Sequence, residues 1–251
     1  MNNKDLVLKA VGELFGDKDP SAVDRWVAPT YRQHSALAGD GPEALRDLVA
    51  SLGDDFRYER ARVVADGDLV VLHGVYHGFG PEPLVAFDIF RVEDGRLAEH
   101  WDALVPYVEH TVSGRSQTDG PDRVGDPEAT EANRALVTEY AEKVLKGADY
   151  TLSTHFTSSE TYLQHNPEAG DGLEGFGAAA ARWAERGKKV VYSAIHKVLA
   201  EGDFVLVVGE GEFGVPVAYY DLFRLADGKI VEHWDAIPPI PAELPHDNGL
   251  F

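Results

Sequence analysis

The sequence predicts an α+β fold in duplicate: two units of one plan, each with helices first and a curved antiparallel sheet after them. Three observations carry this. The chain repeats itself: Phe87–Pro106 reads FDIFRVEDGRLAEHWDALVP, and Tyr220–Pro239 reads YDLFRLADGKIVEHWDAIPP. Earlier stretches recur in the same order, Thr30–Leu45 with Thr161–Phe176 and Val63–Val71 with Val198–Leu206. The spacing of roughly 130 residues is too long for a solenoid repeat and suits a complete small domain. Each half also opens on a helical pattern and closes on an Asp-Gly pair between strand-forming runs, a strong hairpin signal.

Taken in order, Lys4–Phe15 is the first amphipathic helix, and Thr130–Lys146 is its counterpart, with Leu136, Tyr140, Val144 and Leu145 on one face. A short helix or loop leads to the Tyr-x-Gln-His segment of each half. A further helix follows at Pro42–Leu52 and at Leu173–Arg186. Strands then close each unit, ending in the hairpins around Asp94-Gly95 and Asp227-Gly228. Between the halves, SGRSQTDGPDRVGDPEA has no apolar periodicity. The expected organisation is a first domain at 1–112, a linker at 113–129, a second domain at 130–240 and an irregular tail at 241–251.

Composition narrows the function. The net charge is −20, so the surface repels phosphate backbones and anionic lipid, which argues against nucleic-acid and membrane partners. With no cysteine there are no disulfides or thiolate metal sites. The N-terminus carries Lys4, Asp5, Lys9 and Glu13 and reads as neither a signal peptide nor a membrane span; the expectation is a soluble, cytoplasmic protein.

Strand parity divides the repeated His-Trp-Asp. Residues two apart share a face, so His100 and Asp102 point one way and Trp101 the other. In the preceding strand Asp88 and Phe90 share one face, and Phe87 and Ile89 the other. His233, Asp235, Trp234 and Asp221 repeat the pattern. Two arrangements are compatible with this. In one, the Trp face is core and His and Asp meet water. In the other, helices enclose a pocket around His100, Asp102 and Asp88, and the apolar face meets the sheet of the other half.

Tyr-x-Gln-His, followed by Phe-Asp-x-Phe-Arg-x-x-Asp-Gly and Glu-His-Trp-Asp, resembles the SnoaL-like polyketide cyclase family of the nuclear transport factor 2-like superfamily. The likeness runs from about Leu6 to Pro106 and again from about Asn133 to Pro239. It implies two tandem cones, each a bent sheet capped by helices, packed as an internal pseudo-dimer. It implies general acid/base chemistry by Asp102 and Asp235, with His100 and His233 beside them, and no cofactor. His34, His73, Asp88, His165, Asp221 and Glu210 are the further pocket candidates. The sequence departs from the family where His-x-His is usual: His73 is followed by Val75, and the second half has Val208 and Glu210. Ser35-Ala36 also stands where the second half has Asn166-Pro167.

A carboxylate in an apolar cone has a raised pKa and serves as a base toward a carbon next to a carbonyl. The expectation is therefore a lyase or isomerase acting on a small apolar or polyketide-like molecule. Three alternatives stand beside it. His34, His73, Asp88 and His100 are a donor set for a divalent metal. The cones could bind a ligand without turnover. Epoxide opening by activated water would need an Arg between two acids. The expected partner is a small molecule; the halves pair with each other, and a higher oligomer is compatible with the sequence.

Overall fold

A computed structural model describes all residues, 1–251. The chain forms two compact units: Met1–Tyr107 together with Pro241–Phe251, and Val108–Ile240. The stretch expected as a linker is thus part of the second unit, and the expected tail is part of the first. Their polar side chains are the reason, because they satisfy backbone groups of the units they join. Asn248 Nδ2 donates to the Gln33 carbonyl at 3.0 Å and to Asp40 Oδ1 at 2.8 Å. In the second unit Ser113 Oγ donates to the Gln164 carbonyl at 2.7 Å, and Arg115 pairs with Asp171 at 3.0 Å. A search for apolar periodicity does not detect such anchors.

In the first unit, α1 (Asn3–Val11) is capped by Asn2, whose side chain accepts from Asp5 N at 2.7 Å, and it buries Leu6, Val7, Ala10 and Val11. A wider helical turn, Gly12–Gly16, extends it and buries Leu14 and Phe15. Then come α2 (Ala22–Trp26), β1 (Val27–Gln33), α3 (Gly41–Ser51), β2 (Arg57–Asp66), β3 (Leu69–His77), β4 (Leu84–Glu93) and β5 (Arg96–Pro106). The strand order is β1-β5-β4-β3-β2. The long strands pair antiparallel, while β1, which carries Tyr31 and Gln33 of the Tyr-x-Gln-His segment, lies parallel to β5 with Gln33 opposite His100.

The second unit has α4 (Thr130–Tyr140, extended by wider turns to Lys146), α5 (Ser153–Phe156), β6 (Leu163–Gln164), α6 (Gly172–Glu185), β7 (Val191–Glu201), β8 (Phe204–Glu212), β9 (Pro216–Ala226) and β10 (Lys229–Ala236). Its order, β6-β10-β9-β8-β7, repeats the first. Asp94 and Gly95 have φ of 49° and 74°, and Asp227 and Gly228 have 51° and 68°. Two successive positive φ values make the twisted hairpin turn for which Asp-Gly is suited.

The expected parity is present. Asp88 lies opposite Asp102, and Phe90 opposite His100, on the face that the Gly12–Gly16 turn and α3 cover with Leu14, Phe15 and Leu45. Phe87, Ile89 and Trp101 take the other face, as do Tyr220, Leu222 and Trp234 in the second unit, and all six are buried. Each such side chain contributes about 1.5–3 kcal/mol of burial free energy. Both faces of each sheet are therefore buried, so His100 and His233 do not lie in water. No helix is long and apolar enough to cross a membrane.

Candidate active site

Four strands of the first unit aim side chains at one point beneath the helices. β5 brings His100 and Asp102, β4 brings Asp88, β3 brings Tyr76, and β1 brings Tyr31 and Gln33. Gln33 organises them. Its Oε1 accepts from the backbone N–H groups of His34 and Ser35, both at 3.0 Å, and its Nε2 donates to Tyr31 Oη at 3.3 Å. Two backbone donors on one oxygen settle which end of the amide is the carbonyl. That carbonyl lies 2.8 Å from His100 Nδ1, so Nδ1 carries the proton.

The other ring nitrogen, Nε2, lies 3.2 Å from Asp88 Oδ1, and Asp88 Oδ2 accepts from Tyr76 Oη at 3.1 Å. With Nδ1 already protonated, the Nε2 contact is a hydrogen bond only if this pair holds one further proton. The ring is then an imidazolium beside a carboxylate, or an imidazole beside a carboxylic acid.

The second unit builds the same chain of contacts from its own residues. Gln164 Nε2 donates to Tyr162 Oη at 3.3 Å, and Gln164 Oε1 lies 3.1 Å from His233 Nδ1. His233 Nε2 is 3.1 Å from Asp221 Oδ1. The tyrosine on Asp221 Oδ2, at 2.8 Å, is Tyr192 of β7, whereas Tyr76 of the first unit comes from the next strand in sequence, β3. The hydroxyl is present in both units although its strand is not the same.

Asp102 and Asp235 complete the sites. Burial pushes each up to about 6; the neighbouring His100 or His233 charge opposes that, and Asp88 or Asp221 adds to it. Ser35 bonds to Asp102, and Asn166 Nδ2 donates to Asp235 Oδ2 at 2.6 Å. Burial works against a charged His233, but the hydrogen bond to Asp221 and the two carboxylates outweigh it and raise the ring's pKa. In the first unit a cavity of about 40 Å³ reaches Asp88, His100 and Asp102, with apolar walls that include Phe15, Leu45, Phe79 and Phe90.

The remaining sequence candidates lie elsewhere. Tyr31 and Gln33 point inward, so His34 points outward. It stacks on Trp101 with centroids 4.8 Å apart and bonds Glu99 Oε1 at 2.9 Å. His165 stacks on Trp234 at 4.6 Å and bonds Glu232 Oε1 at 2.9 Å. His73 pairs with Phe87 of the outer face, stacks on it at 4.2 Å and meets Arg62 Nη1 at 2.6 Å. Glu210 is opposite Ala218 and bonds His196 at 2.9 Å. These four were expected in the pockets; β3 and β8 present His73 and Glu210 on the opposite face because Leu72 faces Asp88 and Val207 faces Asp221.

The expected metal set of His34, His73, Asp88 and His100 is therefore not assembled. A narrower set is: Asp88, His100 and Asp102 offer ligand atoms within 4.8 Å of one another, as do Asp221, His233 and Asp235. Conversely, Tyr31, Gln33 and Tyr76, with Tyr162, Gln164 and Tyr192, were not singled out. The spacing of Tyr-x-Gln within one strand is the signal that finds two of each three.

A family model described as "SnoaL-like domain" matches residues 8–100 and again 127–233. The chain belongs to the SnoaL-like family. About two fifths of the chain also has counterparts among solved structures. TsrD from Streptomyces laurentii is 24% identical over 41% of this chain and 87% of its own, with a TM-score of 0.36. IdmH from Streptomyces antibioticus, described as a candidate polyketide cyclase, is 22% identical over 41% and 92%, with a TM-score of 0.35. An NTF2-like protein of unknown function from Cytophaga hutchinsonii is 16% identical over 42% and 92%, with a TM-score of 0.38. No curated protein matches the chain.

Proposed function

We propose that the SnoaL-like units are acid/base enzyme sites that move a proton at a carbon next to a carbonyl, with Asp102 and Asp235 as bases. The observation that carries this is a buried carboxylate held near neutrality beside an imidazole of fixed tautomer. A base works best when its pKa lies near the working pH. Asp102 takes the proton from carbon, and the carbonyl oxygen becomes an enolate oxygen. The imidazolium form of His100, with Asp88 as counter-ion, supplies a proton or hydrogen bond to that oxygen. In an aldol closure the enolate carbon then attacks a second carbonyl, and protonated Asp102 returns its proton to the new alkoxide. The reaction written this way uses no cofactor, and its products fall in the lyase or isomerase class.

The substrate is a small, largely apolar ketone of polyketide type. The cavity walls support this, since the polar groups converge at one end only. At about 40 Å³ the cavity is far smaller than the several hundred Å³ of an ordinary small-molecule site. Substrate entry therefore requires the mouth to widen, and the exposed Leu37 on the connection between β1 and α3 is where it would give.

The test is deuterium uptake. A panel of β-diketones in heavy water, followed by mass spectrometry, reports proton transfer without knowledge of the natural substrate. Enzyme-dependent uptake that is lost in Asp102→Asn or in Asp235→Asn supports the reading; uptake unchanged in the double variant removes it. A second reading rests on the carboxylate–imidazole–carboxylate set of each unit, which suits a divalent cation. Equilibrium dialysis against zinc and manganese separates the two, with His100→Gln as the control.

A further inference from the structure

The second unit has an opening that the first has closed. In the first unit Arg46 of α3 spans to the start of α2, donating to the Pro20 carbonyl at 2.8 Å and to Asp24 Oδ1 at 2.7 Å. The repeat places Gly177 at the equivalent position, in α6. No side chain makes that span, and a cavity of about 370 Å³ lies between α6 and the segment from Tyr150 to Ser153.

Its character is specific. Phe176, Ala180 and Ala184 line one wall, Trp183 and Val190 the floor. Ser153 also lines it and is 8% exposed. Lys188 and Lys189 stand at the rim. Neither is in an ion pair, and Lys188 Nζ sits 4.9 Å above the Phe213 ring. None of Asp221, His233 and Asp235 lines this cavity.

We propose that the second unit binds an amphipathic carboxylate here, separate from its acid/base site. The apolar body, an acyl chain or aryl group, lies along Phe176 and Ala180, and the anionic head meets the two ammonium groups, with Ser153 donating to an oxygen. The volume and the mainly apolar lining with a few convergent polar groups suit a ligand of that size. This site does not depend on the acid/base reading.

The experiment is calorimetric titration of the full chain with decanoate and with decanol, which has the same chain but no charge. Decanoate should bind at one site per chain, and decanol roughly tenfold more weakly, the difference being the head-group charge at the rim. Changing Lys188 and Lys189 together to Ala should lower decanoate to the level of decanol. Ala180→Trp, on the exposed side of α6, should abolish binding of both by filling the cavity, while Asp102→Asn and Asp235→Asn should leave it unchanged. Thermal denaturation checks that each variant folds. No decanoate binding, equal binding of decanol, binding that survives Ala180→Trp, or binding lost in Asp235→Asn would each overturn the proposal.

Discussion

His100 Nδ1 lies 2.8 Å from Gln33 Oε1, an oxygen that also receives two backbone N–H groups. One glutamine thereby orients both the His100 ring and the chain entering the site. Gln33→Leu should lower proton-transfer activity by roughly a hundredfold, because the ring loses the partner that fixes its tautomer. It should also cost about 1–3 kcal/mol of stability from the unpaired buried groups. Nitrogen-15 NMR of His100 separates the two effects: the tautomer signal should change even at temperatures where the variant is fully folded.

Activity should rise with pH through about 6, as Asp102 and Asp235 lose their protons and become bases. Stability should move the other way. The folded pKa lies above the unfolded value of 3.8, so between about 4 and 6 the folded state holds more protons than the unfolded state. Stability is then greater below this window and falls as pH rises through it. Asp102→Asn should flatten that slope and stabilise the protein at neutral pH, by a few kcal/mol at most. Denaturant unfolding at a series of pH values measures it; a slope unchanged in the double Asn variant would contradict the assignment.

Tyr76→Phe and Tyr192→Phe each remove the hydroxyl on a buried carboxylate, Asp88 and Asp221. Each change should destabilise by about 1–3 kcal/mol, because the buried carboxylate loses a donor. Denaturant unfolding of each variant measures the loss.

His73→Gln and Glu210→Gln should leave deuterium uptake at the wild-type rate, because both side chains lie on the face away from Asp88 and Asp221. A large loss in either would place the chemistry on the wrong side of the sheet.

Asn248→Ala removes the two hydrogen bonds that the C-terminal segment makes to Gln33 and Asp40, and should cost about 1–3 kcal/mol. Hydrogen exchange should quicken at His34 and Ser35 while the equivalent His165 and Asn166 stay protected.

Local features were legible in the sequence. The duplication, the Asp-Gly hairpins and the shared face of His100, Asp102 and Asp88 all follow from spacing within a few residues, where parity and turn chemistry fix the outcome. The facing of His73 was not legible, because the Gly-Pro connection between β3 and β4 leaves their register open until the strands are paired. The parallel pairing of β1 with β5 joins residues far apart in sequence, and β1 contains three exposed positions, one of them a proline, that weaken its strand signal. Its parity, once known, turns His34 outward and Gln33 inward. The role of Pro241–Phe251 was hidden for another reason: it is attached through side-chain amides and imidazoles rather than an apolar stripe.

That attachment sets an order of events during synthesis. The second unit is one continuous stretch, so all of it is available once Ile240 has been made. The first unit is not continuous. The segment around Gln33 receives its last partners only from His246 and Asn248, which bond its backbone, and Gly249, whose carbonyl meets the His34 ring. At typical translation rates these residues emerge on the order of ten seconds after β5. The segment beside the first unit's site is therefore completed only after residues 246–249 have been made.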